Sequence, residues 1–391
     1  MADASEGEVC GRHYTTRELI RLRWENGKIT EVERLEAGRS ATGATSGATG
    51  ATPDVWLAPG LFDAQVNGYG GIDFQQDDLK VGDLVSAARQ LRNAGCTRFL
   101  LTLITDEWTK LTGRLRHLRE LREQSAELQA AIAGWHIEGP FLSTEPGFHG
   151  AHDPALMCDP TPERIRELRS ITENDLLLLT LAPERPGAIE AIEFAVSRGI
   201  KISLGHTNAS AEILMRAVKA GASSFTHLAN GCPRELDRHD NILWRVFETP
   251  DLKVSLIPDG IHVSPALFRI LERNLVWNWI YYVSDAMSAA GMPPGRYRLG
   301  KLELDVGEDQ IVRQPGKPLF AGSALRPIDG IFRAAEMLEC TWQEVWPRYS
   351  EVPARMMGLG NELVVGQRAD LCVLKMAGKN KLVELRTHAA G

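Results

Sequence analysis

Several side chains able to do chemistry stand at the ends of apolar runs. His136 and Glu138 close "AAIAGWHIEG", His206 closes "GIKISLGH", His227 ends the apolar part of "ASSFTHL", and Asp285 closes "NWIYYVSDA". Asp63, Gln65 and Asn67 follow "VWLAPGLF", and Asp259 and His262 follow "LKVSLIP". A single histidine at a strand end ordinarily does no more than hydrogen-bond, and an aspartate there is ordinarily a helix N-cap. A carboxylate closing a run as apolar as that before Glu138 is costly unless something compensates its charge. Glu138, His206 and His227 taken together supply the compensation. One carboxylate and two imidazoles from three strands offer three ligands to a divalent ion and leave a fourth position for water, the arrangement of a catalytic zinc site. His136 lies two residues before Glu138 and projects to the same side of its strand, where a packed, supporting histidine is expected.

Such a ring needs parallel strands side by side, all ending at one rim. From Val55 onward, eight near-continuous apolar runs of strand length alternate with segments of helical period. In "DDLKVGDLVSAARQLRNAG", Leu84, Ala88 and Leu91 share one helical face, and Gly95 supplies a left-handed C-cap. Gly199 and Gly221 end two further helices in the same way. The pattern is that of an α/β protein, a (β/α)8 barrel of the TIM type, whose active sites lie at the C-terminal ends of the strands. A β-like insertion spans about 292–320. The opening "RELIRLRWENGKITEVERLE" reads as a hairpin around Asn26-Gly27, and the tail "LVVGQRADLCVLK" alternates again. We expect residues 1–57 and 361–391 to build a small β domain from both chain ends, with 58–360 forming the barrel. The "ATGATSGATGAT" segment, 41–52, reads as a solvated loop.

With 391 residues and a net charge of −7, the chain advertises no basic face for nucleic acid. It has no apolar stretch of membrane-spanning length, and its polar, acidic first residues lack a signal core, so a cytoplasmic protein is expected. The six cysteines are scattered without C-x-x-C spacing and read as reduced thiols.

"APGLFDAQVNGYGGIDF", "HIEGPFL", "LGHTNA", "THLAN", "IPDGIHV", "VSDAMSAAG" and "LFAGSAL" occur in an order that resembles the N-acetylglucosamine-6-phosphate deacetylases of the amidohydrolase superfamily. The resemblance runs from about Val55 to the closing "GQRADLCVL". It implies a barrel carrying a small β-sandwich made from both termini, and a homodimer. It matches Glu138, His206 and His227 to the metal ligands, Asp285 to the catalytic aspartate and His262 to a substrate-binding histidine. It matches Asn230 and Gly231 to backbone contacts with the substrate phosphate, and Arg238 to an arginine reaching the phosphate in the partner subunit. His152 joins His262 as a candidate to position the sugar or polarise the carbonyl. Gln65 and Asn67 stand where many superfamily members carry His-x-His for a second metal. Neutral amides bind divalent ions poorly, so one ion per subunit is expected, zinc or iron.

Two stretches depart from the family's pattern. "GFHGAH" has Phe148-His149 where basic residues are common, and "RHDN", Arg238 to Asn241, adds an aspartate beside a phosphate-binding arginine. The implied reaction is hydrolysis of the N-acetyl group of N-acetylglucosamine-6-phosphate to the amine and acetate, with Asp285 as general base and acid. Two rival readings are a deacetylase for another N-acyl amino sugar, unphosphorylated or of different epimer, and an inactive barrel that only binds a sugar phosphate.

Overall fold

All eight runs form strands, and the strands lie parallel in chain order: Leu61–Val66, Cys96–Ile104, Ile132–Glu138, Leu176–Leu181, Lys201–Leu204, Ser224–Phe225, Lys253–Leu256 and Ile280–Tyr282. The computed structural model describes residues 6–36, 54–275, 279–316 and 320–390, and the loop expected at 41–52 lies outside them. Cys96–Ile104 shows why the runs are so apolar, since every residue but the last is buried. The helices cover the outside. Val81–Asn93 buries Leu84, Ala87, Ala88 and Leu91 against the sheet, and Gly95 leaves that helix with φ +85°.

The run from Val55 to Val66 divides at Gly60 where one continuous barrel strand was expected. Val55–Pro59 belongs to a different sheet, and Leu61–Val66 is the first barrel strand. A Cβ on Gly60 would lie 2.2 Å from Thr97 Oγ1, so only glycine lets the chain cross there. Both backbone groups of Gly60 are held from the far end of the sequence: its N–H donates to the carbonyl of Asp370 at 2.9 Å, and its carbonyl accepts from Asn361 Nδ2 at 2.8 Å. The chain ends meet in this second sheet, six-stranded, in the order Leu382–His388, Leu371–Met376, Val55–Pro59, Glu6–His13, Leu19–Glu25, Lys28–Arg34. Ile20, Leu22, Trp24, Ile29, Leu57 and Leu371 form its own apolar cluster with Leu363 and Ala369. The insertion is a small antiparallel sheet of Gly295–Leu299, Leu302–Val306 and Val312–Arg313.

The seam between the first and eighth barrel strands is closed in part by a side chain. The Asp63 carboxylate accepts the Ser284 N–H at 3.2 Å, the Gln65 N–H at 3.2 Å and the Tyr349 hydroxyl at 2.8 Å. Beyond it, Val66 pairs with Ala286, whose carbonyl accepts the Asn67 N–H at 2.7 Å. Burial pushes the Asp63 carboxyl up to about 6 against the pull of these donors. The donors therefore offset only part of the cost of burying the group, and the group in turn fixes Ser284, the residue before Asp285.

Asp63→Ala would leave three buried donors unpaired, at about 1–3 kcal/mol each less the relief of removing a buried charge. We predict a net loss of about 2–4 kcal/mol in denaturant unfolding at neutral pH. An unchanged midpoint would mean that backbone pairing at Val66 and Ala286 closes the barrel alone.

Candidate metal centre and active site

At the C-terminal rim, one ligand atom from each of Glu138, His206 and His227 lies within 4.8 Å of the other two, and all three residues are buried. Glu138 Oε1 is 2.8 Å from His227 Nε2 and 3.4 Å from His206 Nε2. His206 and Asp285 have left-handed backbone, φ +50° and +52°, and His227 has φ +30°. Residues other than glycine rarely adopt positive φ, and they keep it only where the surroundings over-determine it.

His206 turns its Nε2 toward the cluster. Its Nδ1 lies 3.0 Å from the carbonyl oxygen of Phe148. A carbonyl only accepts, so Nδ1 carries a proton and Nε2 is the nitrogen that faces the Glu138 carboxylate, able to donate a second ring proton or to offer a lone pair to a cation. Burial alone would raise the Glu138 carboxyl, but its hydrogen bonds to His206 and His227 and their charges hold it well below the usual carboxylate range. A deprotonated carboxylate with two imidazoles is a fitting N/O set for a divalent ion, which would take the place of the ring protons. Two glycines back the ring of His206. A Cβ would come within 2.7 Å of Nδ1 from Gly231 and within 2.9 Å of Cε1 from Gly150.

Gln65 and Asn67 turn their amides to the carboxylates. Gln65 Nε2 donates to Glu138 Oε1 at 3.0 Å and to Asp285 Oδ1 at 3.0 Å, and Asn67 Nδ2 donates to Asp285 Oδ1 at 2.7 Å. The two hydrogens of one amide group thus bridge two carboxylates that would otherwise repel. Burial first, and then the charge of Glu138, push the Asp285 carboxyl up to about 6. His262 reaches the site on a carboxylate mount, with Nδ1 2.6 Å from Asp259 Oδ2 and the ring edge-on to Phe320. His152 Nδ1 pairs with Thr105 Oγ1 at 2.8 Å while its Nε2 lies 3.8 Å from Glu138 Oε2. Burial first, and then the neighbouring His206, lower the His152 imidazole to about 3.

These groups, except Gln65, Thr105 and Asp259, which stand behind the lining, border a cavity of about 420 Å³ together with Asn230, Gly231, Cys232, Pro233 and Arg234. The expected site residues Asn67, Glu138, His152, His206, His227, Asn230, Gly231, His262 and Asp285 all line it. His136 sits below, between Thr180 Oγ1 at 2.8 Å and Thr102 Oγ1 at 3.3 Å, the supporting place expected of it. Arg238 is outside this chain's own cavity and is exposed, with Nε 3.0 Å from His239 Nε2. The aspartate of "RHDN" pairs elsewhere: Asp240 binds Arg245 at 2.6 and 2.8 Å, and Asn241 caps the helix Ile242–Glu248 through Leu243 N and Trp244 N. Sequence reasoning passed over Arg234, four residues upstream of Arg238, although it lies in the same loop as Asn230 and Gly231. It also left Asp259 without a role, although its spacing from His262 in "DGIH" is that of a turn-forming aspartate.

Gly231→Ala would add a methyl at φ +60° against His206. We predict a loss of about 10–100-fold in metal affinity, the usual effect of disturbing a ligand's support, read by competition with a chelator. Unchanged affinity would mean that the loop yields without moving the imidazole.

No family model matches the chain. The N-acetylglucosamine-6-phosphate deacetylase of Vibrio furnissii is 30% identical over 339 residues, covering 87% of this chain and 82% of the relative. That of Danio rerio is 32% identical over 333 residues, covering 81% and 80%. Among solved structures, a mutant of the Mycobacterium smegmatis N-acetyl-D-glucosamine-6-phosphate deacetylase, in complex with N-acetyl-D-glucosamine-6-phosphate, superposes with a TM-score of 0.84 at 29% identity, covering 98% of each chain. Together with the barrel and its buried Glu/His/His cluster, these matches show that the chain is an amide hydrolase and belongs to the N-acetylglucosamine-6-phosphate deacetylase family.

Proposed function

We propose that this chain removes the acetyl group of N-acetylglucosamine-6-phosphate, with Asp285 as general base and acid and with one zinc ion held by Glu138, His206 and His227. The observation that carries the reading is the Gln65 bridge, which places Asp285 one amide group away from the ligand carboxylate. When bound, the divalent ion supplies Lewis acidity, acidifying a water and drawing charge from the acyl oxygen. Asp285 takes the proton of the attacking water. With Oδ1 occupied by the two amide donors, Oδ2 is the oxygen left to carry it. The same carboxyl then gives the proton to the nitrogen, because an amide nitrogen departs only when protonated. His262 presents Nε2 to the cavity, since Nδ1–H is committed to Asp259, and it orients the sugar or the acyl oxygen. His152, with its imidazole kept neutral by burial, serves the same end.

The sugar phosphate is the substrate that the relatives' names support. The backbone of Asn230 and Gly231 is its proposed phosphate seat, and Arg238 reaches the phosphate bound by a second copy in a cytoplasmic homodimer. The exposure of Arg238 on its own chain suits that role. Zinc suits the N/O ligand set with a position left open for water.

Asp285→Asn keeps the shape but cannot carry the proton. We predict a fall in kcat of roughly 10²–10⁴-fold or more with bound metal retained. A variant keeping more than about a tenth of parental kcat would remove Asp285 from the mechanism. Acetate release from N-acetylated amino sugars, gluco and galacto, with and without the 6-phosphate, tests the substrate. The gluco 6-phosphate should show the highest kcat/KM, and equal values with and without phosphate would contradict the assignment.

A further inference from the structure

Asn67 is 1% exposed and lines the cavity beside Asp285. Which way its amide faces is fixed by chemistry. Asp285 Oδ1, 2.7 Å from Asn67 Nδ2, can only accept, and turning the amide over would set oxygen against oxygen. The backbone of Asn67 is held at both ends: its N–H donates to the Ala286 carbonyl at 2.7 Å, and its carbonyl accepts from Phe74 N at 3.0 Å and Gln75 Nε2 at 3.3 Å. The amide is therefore held in one orientation. Its Oδ1 is buried and has no hydrogen-bond partner among the described residues. A buried acceptor without a donor is destabilising, and such groups ordinarily find a partner or mark a place where a ligand supplies one.

We propose that Asn67 Oδ1 accepts the N–H of the scissile amide, which makes Asn67 a further catalytic residue. The inference rests on the reading of the site as an amide hydrolase given above. An acceptor on the N–H holds the nitrogen next to the group that protonates it, because Asp285 is tied to the same asparagine. The bonding balances without any part for Asn67 in proton transfer. A water O–H bond breaks and its oxygen bonds the acyl carbon, while the proton passes to Asp285. The C–N bond then breaks as Asp285 returns that proton to nitrogen, and the amine leaves with its original N–H still on Asn67 Oδ1. An ester in the same place has no N–H and leaves the oxygen unpaired, which is the situation in which buried polar groups discriminate strongly.

The test uses the metal-loaded Asp285→Asn protein, in which turnover and the proton-carrying role are removed. Affinities are measured by calorimetry for two ligands, an N-acetyl amino sugar 6-phosphate and its O-acetyl ester isostere. With Asn67 intact, the amide should bind at least about ten times more tightly than the ester. Adding Asn67→Ala, or Asn67→Ser if alanine fails to fold, should remove that preference by weakening the amide alone. Equal affinities for the two ligands with Asn67 intact would overturn the proposal, and so would a preference that survives both substitutions. Rapid turnover of the amide by Asp285→Asn would instead overturn the acid–base reading on which the proposal rests.

Discussion

The charge of Glu138 has to be compensated, and the site is arranged around that need. A carboxylate buried at the head of an apolar strand costs several kcal/mol unless its oxygens are fully engaged. Here the engagement comes from far apart in sequence: the imidazoles of His206 and His227 and the amide of Gln65. Each is delivered by its own strand, and only a barrel brings those strand ends onto one rim. With Nδ1–H of His206 given to Phe148, Nε2 is left facing the carboxylate, where a divalent cation or a second ring proton can meet its charge.

A second carboxylate close by would ordinarily be pushed away by the first. Asp285 stays because neutral donors hold it, Gln65 sharing its two hydrogens between both acids and Asn67 adding a second bond to the same oxygen. Amides at these two positions thus ease the approach of two acids without adding charge. Asp63 continues the chain of dependence downward. By accepting the Ser284 N–H across the seam, it fixes the strand end that carries Asp285, and Tyr349 fixes Asp63 in turn. Stability at the seam and chemistry at the rim therefore share residues.

The parts legible in the sequence are those set by local pattern. Buried parallel strands force near-continuous apolar runs, so the eight strands could be read directly, and the clustering of Glu138, His206 and His227 followed from what ends them. Gly95, Gly199 and Gly221 announce helix ends because their backbone requires positive φ. What escaped was decided by contacts distant in sequence. Nothing near Gly60 reveals that Thr97 forbids a side chain there, so one apolar run passed for one strand. The clasp of Asp63 to Ser284 spans most of the chain. Asp240 seemed to threaten Arg238 by adjacency in sequence, whereas in space its partner is Arg245. Arg234 was overlooked because the resemblance drew attention to Arg238, and only the folded loop shows which of the two lines this chain's cavity.

Metal stoichiometry tests the central claim most directly. Chelator-stripped protein and its Glu138→Gln variant would each be titrated with zinc by calorimetry, with elemental analysis of both as purified. The account predicts one tight ion per chain in the parent, since Gln65 and Asn67 are committed to carboxylates, and none in the variant, where a neutral amide replaces the only anionic ligand. A variant that keeps a full, equally tight equivalent would contradict the assignment of Glu138, and two tight ions in the parent would contradict the single-metal site.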